Sequence, residues 1–288
     1  MNNNSSLSHR NEEPENGTFY IVGTPIGNLN DISQRALNIL KNVSLIACED
    51  TRQTKKILNK YVISNNLISF NKHNSSKKIP WLVKELKAGK SIAIVSDAGM
   101  PGICDPGEDF TKRVKAEGID VICIPGACAA ITALVSSGLP SSSFVFEGFL
   151  PKKKIDRHKI LIEISKHEKT TIIYESPHRL KKLLNELYGV CGGDREIIIT
   201  RELTKKFEEH IGHKICEVIE FFEDKEVIGE ITVVIKGIDK KNMSIVNEAD
   251  LKKDLKELIN AGLSLSAASK YLAKKNGLKK TIIYNLIR

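Results

Sequence analysis

Short apolar runs alternate with stretches of helical periodicity through the first half of the chain. Runs of four or five residues that are rich in Val and Ile are typical of strands buried on both faces of a sheet. Helices are predicted between these runs, and Ser33 is the predicted N-cap of the first helix. Alternation of strands with helices predicts a mostly parallel α/β sheet. The predicted strands are residues 18–22, 45–48, 67–70, 92–95 and 121–124.

The pattern changes after residue 126. A helix of small residues at 127–134 is followed by four further predicted strands, at residues 144–149, 171–174, 196–200 and 231–235. The last forty residues show apolar periodicity interrupted at Gly262 and Gly277, which indicates short helices with glycine C-caps, and Ser264 is a predicted N-cap. The predicted parts are a disordered extension at 1–16, α/β domains at 17–126 and 127–238, and a small basic helical domain at 239–288 that begins with a linker.

The strand at 92–95 ends in a loop that is rich in glycine and proline. Glycine permits positive φ angles and close approach of a ligand, while proline stiffens the backbone. Open α/β sheets bind ligands beyond the carboxyl ends of their strands, so this loop is a candidate ligand site. The alternative is an ordinary connection, although such connections usually span only a few residues. The glycines, prolines and aspartates of the loop are Asp97, Gly99, Pro101, Gly102, Asp105, Pro106 and Gly107.

The composition of the 288 residues is that of a globular protein, with 41% hydrophobic and 27% charged residues. No apolar stretch approaches the length of a membrane span, and the start of the chain lacks the apolar core of a signal peptide. The six cysteines form no C-x-x-C pair, and most lie beside apolar residues, as reduced core cysteines do. We therefore expect a cytoplasmic protein without a membrane segment and without a metal site.

Two segments account for the formal net charge of +9 when the chain is summed in blocks. Residues 151–182 carry ten Lys or Arg against four Asp or Glu, and residues 241–288 also carry ten against four. The remainder carries twenty-four against twenty-seven. A concentrated positive surplus favours a polyanionic partner, with nucleic acid as the leading candidate. The alternative is that these lysines only keep the helices soluble.

Seven short motifs occur in order along the chain. They are residues 23–29 (GTPIGNL), 49–52 (EDTR), 96–102 (SDAGMPG), 146–151 (FEGFLP), 174–179 (YESPHR), 201–205 (RELTK) and 229–230 (GE). Together they resemble the ribosomal RNA small subunit methyltransferase I family, which is part of the tetrapyrrole methylase superfamily. The resemblance extends from about residue 17 to the C-terminus. One such motif is weak, whereas seven in order argue against chance similarity.

The resemblance implies two α/β domains with S-adenosyl-L-methionine in the cleft between them. It also implies a homodimer that 2′-O-methylates the ribose of a cytidine in the decoding region of 16S ribosomal RNA, within the small ribosomal subunit. The chain has neither the G-x-G-x-x-G motif of dinucleotide sites nor the G-K-[ST] motif of phosphate loops. Both absences fit a cofactor that carries no phosphate.

By similarity, the cofactor site is formed by the loop at 97–101, the turn at 125–129 and three further segments. Many members of the family have Pro-Ser after the glycine of this turn, whereas this chain has Ala127 and Cys128. The exchange removes a hydroxyl group and with it one expected hydrogen bond to the cofactor. The expected cofactor-binding residues are Pro25, Asp97, Ala98, Gly99, Met100, Pro101, Gly126, Cys128, Ala129, Tyr174, Glu230 and Ile231.

Methyl transfer to a ribose hydroxyl is an in-line displacement in which positioning contributes most. Because the hydroxyl is a poor nucleophile, a general base or hydrogen-bond acceptor is expected. Asp50 is the first candidate, since it follows a strand end beside Arg52; its alternative role is a helix N-cap. The neighbouring Glu49 is the second candidate, because adjacent strand residues point in opposite directions. Lys205 with Glu202 is the third, since a nearby lysine favours the ionised hydroxyl.

Basic side chains near the predicted cleft are candidates for contacts with RNA phosphates, because the arginine fork suits phosphate geometry. For Arg179 and Arg201 the alternative is that they tie the two domains together through Glu175 or Glu202. The RNA-binding candidates are Arg52, Lys152, Lys153, Lys154, Arg157, His178, Arg179 and Arg201. The aromatic residues predicted to lie in the core are Trp81, Tyr271 and Tyr284.

Two other classes of function are considered beside RNA methylation. One is a superfamily relative that methylates a tetrapyrrole precursor of cobalamin or sirohaem. The other is a nucleic-acid-binding regulator built around the C-terminal helices, which leaves the loops of both α/β domains unexplained. The EDTR and YESPHR motifs, the basic segments and the helical tail favour RNA as the substrate.

Overall fold

The computed structural model describes residues 13–238, 248–276 and 279–287. Its first sheet consists of β1 (Phe19–Val22), β2 (Leu45–Cys48), β3 (Leu67–Ser69), β4 (Ile92–Val95) and β5 (Val121–Ile124). The strands are all parallel and lie in the order β3-β2-β4-β1-β5. Both the parallel sheet and its five strands are thereby confirmed, with strand ends within one residue of those predicted.

Helices cover both faces of this sheet, namely α1 (Gln34–Asn42), α2 (Thr51–Lys60), α3 (Ser75–Lys87) and α4 (Glu108–Ala116). The first two pack in a core cluster with Tyr20, and the last two pack in another with Phe19. Neighbouring strand residues join different clusters because successive side chains point to opposite faces. Ser33 caps α1 as predicted, since its hydroxyl oxygen accepts a hydrogen bond from the Ala36 amide at 3.0 Å. A 3₁₀ turn at Leu29–Asp31 precedes it.

The second sheet is mixed and consists of β6 (Phe144–Phe149), β7 (Thr170–Glu175), β8 (Glu196–Arg201), β9 (Glu209–Lys214) and β10 (Ile231–Ile235). Its order is β6-β7-β10-β8-β9, and only β6 and β7 are parallel. The four predicted strands are confirmed. The sequence does not predict β9, because this edge strand is polar along its length and shows no apolar alternation. The helices of this region are α5 (Ala129–Ser137), α6 (Lys154–Lys166), α7 (Pro177–Cys191) and α8 (Ile215–Phe222).

Residues 13–165 and 169–236 form one compact unit that contains both sheets, so a domain boundary at residue 126 stays a prediction. A second unit, residues 166–168 with the chain from 237 onward, contains α9 (Glu248–Asn260), α10 (Leu265–Asn276) and α11 (Lys280–Tyr284). The Ala267 amide donates to the Ser264 hydroxyl at 3.2 Å, which confirms the predicted cap. The predicted linker at 239–247, Gly277 and most of the predicted extension lie outside the described residues.

Several predictions of buried side chains are wrong. Trp81 is 44% exposed, because α3 directs Leu82 and other residues into the core and leaves the indole on its outer face. Tyr271 is 56% exposed for the same reason, since the following residue, Leu272, faces the core of the second unit. Cys123 and Cys216 are exposed rather than core residues. Tyr284 is partly buried.

Across residues 13–238, 248–276 and 279–287, no helix combines the length and the apolar character needed to cross a membrane. Within the same ranges, no three His, Cys, Asp or Glu side chains are grouped so that they could hold a metal ion.

Candidate active site

A cleft of about 510 Å³ opens where loops of the two sheets meet. From the first sheet it is lined by residues that follow the carboxyl ends of β1, β2, β4 and β5, where open α/β sheets bind ligands. From the second sheet it is lined by the ends of β6 and β7, the loop after β8 and the start of β10. The lining includes nine of the twelve predicted cofactor residues: Asp97, Ala98, Gly99, Met100, Cys128, Ala129, Tyr174, Glu230 and Ile231.

Three predicted cofactor residues, Pro25, Pro101 and Gly126, do not line the cleft. Other lining residues were not predicted from the sequence as cofactor residues. For most of them the signal is positional, because they lie within a few residues of a strand end that borders the cleft; Ile103, Cys104 and Asp105 instead belong to the loop rich in glycine and proline after β4. These other lining residues are Ile26, Ile103, Cys104, Asp105, Phe149, Glu175, Ser176, Pro177, Leu203 and Thr232.

The loop after β4 is held in place by the loop after β1. The Thr24 amide donates to the Gly99 carbonyl at 2.9 Å, and the Gly99 amide donates to the Thr24 carbonyl at 3.2 Å. The Thr24 hydroxyl donates to the Ser96 carbonyl at 3.2 Å. Gly99 has a φ of 78°, a left-handed conformation that favours glycine. The glycine-rich loop is thus a pre-formed wall of the cleft, as its composition predicts.

Gly126 acts through packing. A Cβ atom added to Gly126 would lie 2.7 Å from the Cα of Gly23, closer than side-chain carbons approach a backbone. The turn after β5 and the loop after β1 therefore touch backbone to backbone. This contact sets the distance between two of the segments that form the cleft.

We expect Gly126→Ala to weaken the binding of S-adenosyl-L-methionine at least tenfold and to lower the free energy of unfolding by about 1–3 kcal/mol, as overpacking does. Calorimetric titration and urea denaturation measure the two effects. Gly189→Ala is the matched control, since a Cβ there meets no atom within 4 Å. In the interior of α7 it should be neutral or stabilising by up to about 1 kcal/mol. Equal behaviour of the two variants would contradict the packing role of Gly126.

Tyr174, near the end of β7, lines the cleft from the second sheet. Its hydroxyl oxygen accepts a hydrogen bond from the Ala130 amide at 3.0 Å, in the first turn of α5. Burial raises the pKa of Tyr174 well above its ordinary value, so the phenol stays neutral. The rings of Phe146 and Phe149 lie 5.0 and 5.6 Å from the Tyr174 ring. Cys128 is the N-cap residue of α5 but its side chain makes no capping hydrogen bond. This fits the loss of a hydroxyl at that position.

Three carboxylates, Glu49, Asp97 and Asp105, line one side of the cleft. Burial raises the pKa of each of them. Repulsion by Asp105 and Asp97 adds to the effect on Glu49. The Asp97 carboxylate accepts a hydrogen bond from the Asp50 amide at 3.0 Å, which fixes its position beside the end of β2. The cleft therefore has an acidic side with carboxylates that bind protons more readily than usual.

Asp50 is the N-cap residue of α2, which is the alternative role that the sequence predicts for it. One carboxylate oxygen accepts a hydrogen bond from the Arg52 amide at 2.8 Å. The Arg52 guanidinium holds the same carboxylate through Nε at 3.0 Å and Nη2 at 2.6 Å. These hydrogen bonds lower the pKa of Asp50 to about 2. Asp50 does not line the cleft and holds protons weakly, whereas Glu49 lines the cleft, so the choice of base between the two stays a prediction.

Lys205 lies in a compact ion-pair network. Its ammonium donates to Glu202 at 2.9 Å and to Glu230 at 3.0 Å. Glu202 also accepts a hydrogen bond from the Glu230 amide at 2.9 Å. Burial lowers the pKa of Lys205, but the hydrogen bonds to both glutamates raise it more, so the side chain stays cationic. Glu202 has a left-handed φ of 53°. This network positions Glu230, which lines the cleft. Lys205 and Glu202 contact each other but do not line the cleft, and their predicted catalytic role stays a prediction.

The predicted RNA-binding residues divide into three arginines that pair with glutamates in the second sheet's region and five exposed side chains. Arg157 is only 3% exposed and pairs with Glu175 and Glu186, so the prediction that it contacts RNA is wrong. Its position on the inner face of α6 buries it, which the charge count does not reveal. Arg179 pairs with Glu175. Arg201 pairs with Glu209, a contact within the second sheet rather than a tie between the two sheets. The exposed candidates are Arg52, Lys152, Lys153, Lys154 and His178.

Comparison with known proteins identifies the fold. Residues 18–218 match the family of Tetrapyrrole (Corrin/Porphyrin) Methylases. A cobalt precorrin-4 methyltransferase of cobalamin biosynthesis superposes with a TM-score of 0.58 at 13% identity, over 76% of this chain and 95% of that chain. A uroporphyrin-III C-methyltransferase from Thermus thermophilus, complexed with S-adenyl homocysteine, gives a TM-score of 0.54 at 15% identity over 76% and 97%. The fold and the cleft therefore define a methyltransferase of the tetrapyrrole methylase type.

Closer relatives specify the family. The chain is 41% identical to the ribosomal RNA small subunit methyltransferase I of Synechocystis sp., over 94% of this chain and 97% of that protein. It is 44% identical to the protein of the same name from Vibrio cholerae, over 92% of each. The chain belongs to the ribosomal RNA small subunit methyltransferase I family, and its methyl donor is S-adenosyl-L-methionine.

The cleft residues fit this cofactor. Its sulfonium and amino groups are cationic, and Glu49, Asp97 and Asp105 provide negative charge on one side of the cleft. Its adenine requires an apolar wall, and the apolar side chains that line the cleft include Phe149 and Ile231. The first turn of α5, at the edge of the cleft, presents backbone amides of the kind that bind carboxylates at helix N-termini.

Proposed function

We propose that this protein transfers the methyl group of S-adenosyl-L-methionine to the 2′-hydroxyl of a cytidine ribose in the decoding region of 16S ribosomal RNA, within the small ribosomal subunit. The names of its relatives support an RNA of the small subunit as substrate. The observation that carries the chemical step is the position of Glu49 in the wall of the cleft. The bound cofactor supplies an electrophilic methyl group on a sulfonium centre.

Glu49 is proposed as the acceptor of the hydroxyl proton. A ribose hydroxyl holds its proton tightly, so a nearby carboxylate increases its nucleophilicity by accepting a hydrogen bond and then the proton. Burial, with repulsion from Asp105 and Asp97, raises the pKa of Glu49 above that of an ordinary glutamate and brings it nearer to physiological pH. A stronger base is the more effective proton acceptor, provided that it remains ionised.

Neighbouring groups are proposed to position the reactants. The network of Lys205, Glu202 and Glu230 holds the start of β10 in the cleft wall. The hydrogen bond between Tyr174 and Ala130 fixes the first turn of α5. Such alignment contributes most of the rate in an in-line displacement between two bound reactants.

A cytoplasmic location and a homodimer complete the proposal. Support for self-association comes from α5, which exposes Ile131 and Val135, since adjacent exposed apolar side chains are typical of interfaces. Sedimentation should then give the mass of two chains of 32.0 kDa each. A single-chain mass at micromolar concentration would exclude the homodimer.

The proposed reaction is tested with labelled S-adenosyl-L-methionine and small ribosomal subunits from cells that lack this activity. We expect one methyl group per subunit, and mass spectrometry should place it on the 2′-oxygen of a decoding-region cytidine. A label on a nucleobase, or no label although the cofactor binds, would refute the proposal. In the second case, methylation of tetrapyrrole precursors is the next assay.

A further inference from the structure

The most basic continuous segment of the chain lies outside residues 151–182 and 241–288, in the remainder whose summed charge is negative. Residues 51–90 contain ten Lys or Arg and a single acidic residue, Glu85. The summed charge of that remainder hides this surplus of nine positive charges, because acidic residues in other parts of the remainder offset it. The segment comprises α2, β3 and α3, so its cations belong to one edge of the first sheet.

The topology brings part of this charge to the cleft. Strands β3, β2 and β4 are parallel neighbours, about 4.8 Å apart, so their carboxyl ends share one edge. Arg52 is the second residue of α2, the helix that follows β2, and Lys72 lies in the loop after β3. The Lys72 ammonium donates to the backbone carbonyl of Cys104 at 3.1 Å, and Cys104 lines the cleft. Cations of the segment thus lie beside the cleft wall.

Most of these side chains are accessible to a ligand. The Arg52 side chain is 86% exposed, although it pairs with Asp50. Lys55, in the first turns of α2, and Lys77, in the first turn of α3, are exposed. Neither lysine has an ion-pair partner among the residues that the structure describes. Charges without partners are free to bind an anion.

The interior of the cleft has the opposite charge. Glu49, Asp97 and Asp105 repel phosphate groups, which disfavours RNA phosphates on the acidic side of the cleft. The target nucleotide should therefore enter with its flanking phosphates directed away from the acidic side. Cations at that border are the groups that would hold them.

We propose that Arg52, Lys55, Lys72 and Lys77, hereafter the basic rim, bind the RNA phosphates that flank the target ribose. The proposal rests on the proposed RNA-methylating function. It places the RNA strand along the β3 edge of the first sheet, a location that none of the predicted candidates except Arg52 indicates. Contacts between these cations and phosphates do not depend on the RNA sequence, so the basic rim contributes affinity and positioning rather than base recognition.

The test is the double variant Lys55→Gln/Lys77→Gln, assayed for binding to unmethylated small ribosomal subunits at several salt concentrations. Each phosphate contact on a single strand contributes about 0.7 to the slope of log K against log salt, or about fivefold in affinity at 0.1 M salt. Loss of two contacts should therefore weaken binding about 25-fold and reduce the slope by about 1.4. Affinity for S-adenosyl-L-methionine should not change, since neither residue lines the cleft.

The matched control is Lys112→Gln/Lys115→Gln on α4, which removes the same charge from a helix that also contains acidic residues. We expect its binding to remain within twofold of the unmodified protein. An unchanged slope for Lys55→Gln/Lys77→Gln, with or without weaker binding, would overturn the basic rim. If the unmodified protein does not methylate the subunits at all, the proposed function itself fails. Methylation with an unaffected double variant refutes only the basic rim.

Discussion

Glu49→Gln is expected to reduce kcat about a hundredfold to ten-thousandfold, the range in which a general base contributes to catalysis. Glutamine keeps the shape of the side chain and a carbonyl acceptor, but it cannot take up a proton. Glu49 lines the cleft beside Asp97 and Asp105, so the substitution removes charge without removing a packed group. Single-turnover methylation of small ribosomal subunits measures the effect on the chemical step.

Asp50→Asn is the matched control. Asparagine is as good an N-cap as aspartate, so α2 keeps its cap although the ion pair with Arg52 is lost. We expect kcat to change by no more than a few-fold, because Asp50 does not line the cleft. A large loss of kcat for Asp50→Asn, with near-normal activity for Glu49→Gln, would reverse the two assignments.

The pH dependence of kcat provides a second readout of the same assignment. Glu49 accepts a proton only when it is ionised, so kcat falls as the pH drops through its pKa. Because burial and neighbouring carboxylates raise the pKa of Glu49, this fall should begin at a higher pH than for an ordinary glutamate. The acidic limb should vanish in Glu49→Gln. A profile identical in both proteins would show that another group controls the limb.

The first sheet follows from local pattern, whereas the base assignment does not. Buried parallel strands are apolar throughout, so runs such as Ile92–Val95 are visible in the sequence. Glu49 and Asp50 are adjacent and chemically similar, and the direction of each side chain depends on where the strand ends. The strand β2 ends at Cys48, and the helix α2 begins at Thr51, which leaves Asp50 as the cap. Tertiary geometry therefore decides which of the two carboxylates faces the cleft.

Charge counts mislead for a related reason. Arg157 belongs to the basic segment 151–182, yet it lies inside the second sheet's helical layer, paired with two glutamates that are distant in sequence. The residues of the basic rim belong to the remainder of the chain, whose summed charge is negative, yet all four have exposed side chains. Sequence averages contain neither burial nor proximity, and both determine what a charge can bind.

The buried pair of Arg157 and Glu175 has the largest expected effect on stability. The Arg157 Nη2 donates to the Glu175 carboxylate at 3.2 Å, and the side chains are 3% and 0% exposed. Among the residues that the structure describes, Arg157→Met leaves that carboxylate in the interior with Arg179, at 3.3 Å, and the Ser176 amide, at 2.8 Å. Breaking a buried pair costs about 3–5 kcal/mol, and the remaining contacts place this case near the lower end. Urea denaturation measures the loss.

The double variant Arg157→Met/Glu175→Gln distinguishes an unpaired charge from lost packing. The Arg157 Nη1 is buried without a hydrogen-bond partner among the described residues, so the native pair already carries an uncompensated desolvation cost. Removing both charges should therefore restore most of the stability that Arg157→Met loses. Lys159→Met, an exposed position on the same helix, should change the free energy of unfolding by no more than about 0.5 kcal/mol. If the double variant is as unstable as Arg157→Met, the lost free energy of unfolding comes from packing of the arginine side chain rather than from the unpaired carboxylate of Glu175.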